Sequence, residues 1–242
     1  MLIKSIAFSL PALISFQALA AADKVSAPDV TKGNLEFEYR ASNDFDSRAS
    51  KDNSKQFKSD VNYGVTNRFR IEFKSVINEL PHQSSKLSSI ETSLRYQFFK
   101  KDEAFLSSAI ETTYKASTQA HQANAYETKL LFSKDINKVT NIANIAFYQQ
   151  VGADRKSGTD IVVSWKSRYN IISYFEPGFE VYRDFGRINL NLPYQKQTVQ
   201  YGPTISGKIG KHYKYDVGYL YGKTTASPNG RVKAILTYVV KF

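Results

Sequence analysis

Arg231-Val232-Lys233-Ala234-Ile235-Leu236-Thr237-Tyr238-Val239-Val240-Lys241-Phe242 reads as one long strand with two unlike faces. Val232, Ala234, Leu236, Tyr238, Val240 and Phe242 fall on one side, while Lys233, Thr237 and Lys241 fall on the other beside Ile235 and Val239. Side chains alternate across a strand, so period-two patterning assigns each set to its own face of a sheet. One face suits lipid or a core, and the other suits water or charged partners.

The same alternation recurs upstream. Leu35, Phe37 and Tyr39 alternate with Glu36, Glu38 and Arg40; Phe69, Ile71 and Phe73 alternate with Arg70, Glu72 and Lys74. Ile90, Thr92, Leu94, Tyr96 and Phe98 oppose Glu91, Ser93, Arg95 and Gln97, and Ile161, Val163, Trp165, Ser167 and Tyr169 oppose Asp160, Ser164, Lys166 and Arg168. An Arg or Lys at the bilayer midplane costs about 2–4 kcal/mol. The charged faces therefore point inward, and the fold expected is all-β, a closed antiparallel transmembrane β-barrel. About twelve strands are predicted, at 33–42, 56–65, 68–77, 87–98, 104–116, 123–132, 140–149, 159–169, 175–184, 196–206, 213–222 and 231–242, with ten or fourteen also fitting. The stretch 175–184 is the poorest strand, because Pro177 cannot donate to a ladder.

The connections alternate between longer Ser-, Asn- and Gly-rich ones, such as 43–55 and 185–195, and tight ones, such as Val65-Thr66-Asn67. Outer-membrane barrels have short periplasmic turns and longer extracellular loops, which predicts two periplasmic termini and an even strand number. Phe69, Phe98, Phe132, Tyr169, Tyr213 and Phe242 fall near the short turns, and Phe57, Tyr114, Tyr126, Tyr148 and Tyr221 near the other ends, as two aromatic belts would.

Composition agrees. Sixteen Tyr and 16 Phe stand against one Trp and one Met, and no apolar run after the N-terminal region reaches spanning length. Lys4, the apolar stretch from Ile6 to Phe16 and Ala18-Leu19-Ala20 read as a cleavable export signal over 1–20, followed by a periplasmic segment at 21–32 and the barrel at 33–242. With no cysteine, neither a lipid-anchored N-terminus nor a disulfide framework is expected. The formal net charge of +11 suits lipid or lipopolysaccharide phosphates and anionic solutes; no basic-aromatic cluster argues for nucleic acid.

The terminal Tyr238-Val239-Val240-Lys241-Phe242 resembles the signal by which Gram-negative outer-membrane barrels are recognised by their assembly machinery, which implies that partner and an outer-membrane location. The first strand Lys32-Gly33-Asn34-Leu35-Glu36-Phe37-Glu38-Tyr39-Arg40 and the turn Tyr63-Gly64-Val65-Thr66-Asn67-Arg68-Phe69 resemble those of proteobacterial transporter-like barrels, including barrels grouped with aromatic-degradation pathways. Asn67 stands where those barrels commonly have Asp. The resemblance implies a transport role without naming a solute.

The candidate lumen-lining residues are Glu36, Glu38, Arg40, Arg70, Glu72, Lys74, Glu91, Arg95, Glu111, Glu127, Lys129, Asp160, Lys166 and Arg168. Acids and bases are nearly balanced there. Two outcomes follow: a cross-strand network closing the interior, or a pore whose transverse field sieves small polar or anionic solutes. Arg48, Lys51, Lys55, Lys86, Arg155, Lys156, Arg187 and Lys223, in or beside the long loops, could bridge lipopolysaccharide phosphates. The functional expectation is a channel or transporter-type barrel. The alternatives are a closed barrel acting through its loops, and a rim hydrolase built on His82 with Ser84 and Ser85, or on His121. No local motif assembles a triad, no metal-ligand spacing exists and nothing implies a cofactor.

Overall fold

A polar residue at every second position gives each strand one wet face and one apolar face, and a sheet of such strands hides the wet face by closing. The computed structural model describes residues 24–242. The expected leader over 1–20 lies outside them, as do residues 21–23. The strands are β1 (Asn34–Phe45), β2 (Lys55–Gly64), β3 (Phe69–Glu79), β4 (Lys86–Phe99), β5 (Ser107–Ser117), β6 (Asn124–Ile136), β7 (Val139–Val151), β8 (Thr159–Tyr169), β9 (Glu176–Arg187), β10 (Thr198–Ile209), β11 (Tyr213–Gly222) and β12 (Gly230–Lys241). Each pairs antiparallel with the next, and β12 returns to β1 in an unbroken register from Asn34↔Lys241 to Phe45↔Gly230. The barrel is closed and has no free edge, the one sheet form that satisfies its backbone in lipid.

Pro177 is accommodated inside β9 because the β8–β9 ladder stops at Arg168↔Gly178. No β8 bond is lost to its missing N–H.

The distribution of side chains is inverted relative to a water-soluble barrel. Phe73 is 55% exposed on the outside and Leu94 49%, whereas Asp60 and Glu72 are only 2% and 4% exposed. An outer surface of this kind is solvated by lipid. Aromatic pairs cluster near both rims: Tyr213 packs on Tyr238 at 5.0 Å beside the tight turns, and Tyr114 on Tyr126 at 5.0 Å beside the long connections. Tyr148 does not join them. It shares the inward parity of Ile142, Asn144 and Ala146, and its ring lies 5.1 Å from Lys115 Nζ.

The start of β1 and the end of β12 meet at the rim of tight turns, hereafter the turn end; the opposite rim is the loop end. Gly33 N donates to the Gly64 carbonyl at 2.8 Å, and Phe242 N donates to the Gly33 carbonyl at 3.0 Å. Gly33 takes φ +74°, and a Cβ there would stand 2.4 Å from the Phe242 carbonyl oxygen, so only glycine fits. From this joint the preceding residues enter the barrel.

Candidate functional site in the barrel interior

The inward residues of β1–β6 form one ion-pair web. Arg40 bridges Glu38 (2.6 Å) and Asp60; Lys74 bridges Glu72 (2.8 Å) and Glu91 (3.4 Å). Arg70 reaches Glu72 at 3.1 Å and Glu111 at 3.4 Å, and Arg95 gives Glu111 two bonds of 2.7 and 2.5 Å. Lys129 contacts Glu127 (2.7 Å) and Glu111 (3.7 Å), and Lys115 contacts Glu127 at 2.6 Å. The repeat arises because successive inward positions on neighbouring strands carry opposite charges, the cross-strand pairing that stabilises a sheet face.

A second web crosses β8–β12. Lys166 binds Glu180 at 2.9 Å and Asp216, and Lys233 binds Glu180 at 2.5 Å. Three more candidates sit nearer the rims: Glu36 with Lys214 (2.9 Å), Arg168 with Glu176 (3.2 Å) and Asp160 with Arg187 (4.0 Å). Each predicted lumen residue is thus ion-paired. Desolvated charges persist only when so paired, and removing one partner costs about 3–5 kcal/mol.

Between the webs lies a stretch of main chain that the sequence reading assigned to a periplasmic segment. Val30 N donates to Gln97 Oε1 at 2.9 Å near the turn end, and Arg95 donates to the Ala27 carbonyl at 2.6 Å one step deeper. Ser26 exchanges two bonds with the Asn144 side chain, N to Oδ1 at 2.7 Å and Nδ2 to O at 2.8 Å. Val25 packs on Ile142, Tyr182 and Leu220, and Lys24 Nζ reaches Glu38 at 2.6 Å. These partners belong to β1, β4, β7, β9 and β11, so Lys24–Val30 crosses the interior and touches facing walls. Its backbone groups take partners from the wall because no strand neighbour is at hand. One sequence signal existed: Ile142 and Leu220 are apolar in registers otherwise polar.

Among the described residues, the histidines proposed for a rim site share no hydrogen bond or ion pair with an acid or a hydroxyl side chain. His82 and His121 each take φ +58° at loop positions, and among the described residues neither ring hydrogen-bonds to a side chain; Ser85 instead donates to Glu79 at 2.8 Å. No cluster of three or more His, Cys, Asp or Glu side chains suited to a metal occurs among the described residues.

The chain has the architecture of outer-membrane porin-like barrels. It is similar to the KdgM porin (TM-score 0.59, 11% identity, covering 84% of this chain and 98% of that one). It is also similar to the COG4313 outer membrane channel from Pseudomonas putida F1 (TM-score 0.66, 9% identity, 90% and 99% covered) and to the NanC porin (0.50, 12%, 86% and 98%). No family model and no curated protein matches the chain. At such identities the likeness is one of fold.

Proposed function

We propose that the protein is an outer-membrane channel for small polar or anionic solutes, with its turn end in the periplasm and Lys24–Val30 narrowing its lumen. The observation that carries this is the inside-out distribution of polarity: a lipid-facing apolar wall around an interior lined by charged side chains. An interior evolved only to be filled would serve better with well-packed apolar residues, since buried ion pairs add little net stability. The structural neighbours support the reading; a KdgM porin structure was solved in complex with disordered oligogalacturonate. The exposed Phe242, at the turn end, suits recognition by the barrel-assembly machinery.

The test is planar-bilayer recording of the folded full chain and of a variant lacking 24–30, each checked for heat-modifiable migration. Small steps from the full chain and larger ones from the deletion are expected. Silence from both overturns the channel. A closed barrel acting through its loops would then stand, favoured by Arg48, which joins the first long connection to the last by donating to the Thr225 (2.6 Å) and Ser227 (2.8 Å) carbonyls.

A further inference from the structure

The lipid-facing side of β9 carries a cation where its register calls for apolar residues. Arg183 alternates with the inward Tyr182 and shares the outward parity of Phe179 and Val181. Its guanidinium carbon stands 4.2 Å from the Phe185 ring centroid and 5.5 Å from that of Tyr194. Arg183 Nε donates to Gln197 Oε1 at 2.9 Å, and Gln197 is itself fixed, since its Nε2 donates to the Leu192 carbonyl at 2.8 Å and its carbonyl accepts from Thr224 Oγ1 at 2.6 Å. Among the described residues, no acceptor meets Nη1 or Nη2 of Arg183. The planar cation is therefore held on three sides, with its terminal donors left over.

Gln197, directly before β10, meets Arg183 as an outward cross-strand neighbour, and the stacking of Tyr194 on Arg183 brings the connection 188–197 to the same outward side of the wall. That connection also exposes Ile188 and Leu190, at 56% and 57%. Exposed apolar side chains beside a stacked arginine, close to the rim of a membrane-spanning wall, match the boundary between acyl chains and charged headgroups, where an outward Arg costs only about 0–1 kcal/mol. The expected loop cations are in part already engaged: Arg48 with Asp46, Lys55 with Glu79 at 2.7 Å, and Arg155 with the Gly152 carbonyl at 3.2 Å. Arg183 combines preorganisation with open donors.

We infer that Arg183, cradled by Phe185 and Tyr194, binds a phosphate of a phosphorylated glycolipid in the outer leaflet. A phosphate accepts two parallel bonds from a guanidinium edge, and the lipid's acyl chains would lie along the apolar wall below. The leaflet rests on the orientation proposed above; the phosphate contact does not.

Purified full-length protein in detergent micelles, titrated with diphosphoryl lipid A and read by native mass spectrometry, tests it. Retention of the lipid is expected to weaken roughly tenfold in Arg183→Gln and to be unchanged in Lys138→Gln, at the turn end. Arg183→Gln must still migrate as a heat-modifiable barrel. Equal retention by wild type and Arg183→Gln overturns the site. Equally tight retention of phosphatidylglycerol by the wild type overturns the assignment to a glycolipid. Labelling of Ala153→Cys by an impermeant maleimide in intact cells reports orientation separately, and an unlabelled cysteine overturns the leaflet assignment while channel recordings are unaffected.

Discussion

Arg231 and Asp44 face each other directly across the β12–β1 junction and are joined by two hydrogen bonds, Nε to Oδ1 and Nη2 to Oδ2, the latter 2.7 Å. Their side chains are 3% and 6% exposed, in the seam that closes the barrel. Asp44→Asn would leave the guanidinium buried and uncompensated, at about 3–5 kcal/mol. The expected outcome is a lower temperature for the shift between folded and unfolded bands in cold electrophoresis. The exchanged pair Asp44→Arg with Arg231→Asp should recover part of the loss, because the geometry is bidentate from either side.

Directly above that seam, Arg48 clasps the first and last long connections and depends on Asp46 for its own position. Burial would push the Asp46 carboxyl up, but hydrogen bonds from the Arg48 side chain and backbone, with the guanidinium charge, outweigh it and hold the group below the usual carboxylate range. A carboxyl depressed in the folded state stabilises that state above its unfolded pKa of about 4 and loses this as pH falls through the folded value. Spin labels on Asn53→Cys and Ala226→Cys should therefore keep a short separation at neutral pH and spread in acid below about pH 4. Arg48→Gln should show the spread separation at both.

The wall of this barrel was legible because its physics is local and periodic. Within Thr159–Tyr169, Asp160, Ser164, Lys166 and Arg168 alternate with Ile161, Val163, Trp165 and Tyr169, and the strand found there has the bounds expected from sequence. Tyr148 was misplaced because aromatic character near a strand end suggests a belt, while parity, counted from Ile142 and Asn144, turns it inward. The segment Lys24–Val30 left almost no trace, since its partners Gln97, Arg95 and Asn144 lie on separate strands and no local pattern links them. Arg183 was passed over for a similar reason: its aromatic neighbours come from a bulged strand end and from a connection whose path over the wall no periodicity encodes.

Exposure divides the inward arginines into two kinds. Arg168 has a side chain 35% exposed and a single carboxylate partner, whereas the Arg95 side chain is 4% exposed and locked to Glu111. Arg168→Gln is expected to shift the reversal potential in a salt gradient toward cation preference and to leave the unfolding temperature nearly unchanged. Arg95→Gln should do the reverse, lowering stability by about 3–5 kcal/mol as Glu111 loses its main partner. Equal selectivity shifts from both would show that solutes sense the buried web as strongly as the exposed rim.

Asn144 holds the inserted segment as a strand neighbour would, offering Oδ1 to the Ser26 N–H and Nδ2 to the Ser26 carbonyl. Asn144→Leu preserves volume and removes both bonds. Each buried backbone group left unpaired costs about 1–3 kcal/mol, and every 1.4 kcal/mol shifts a two-state population about tenfold. Val25, Lys24 and the Ala27 carbonyl keep their own contacts, so the segment should leave and return rather than stay out. Recordings of Asn144→Leu are then expected to show brief openings at the amplitude of the variant lacking 24–30, at least tenfold more frequent than in wild type. Amplitude reports what the lumen admits when empty, and frequency reports how firmly Asn144 holds the segment. A changed amplitude at unchanged frequency would mean that Asn144 shapes the pore wall instead of anchoring Ser26.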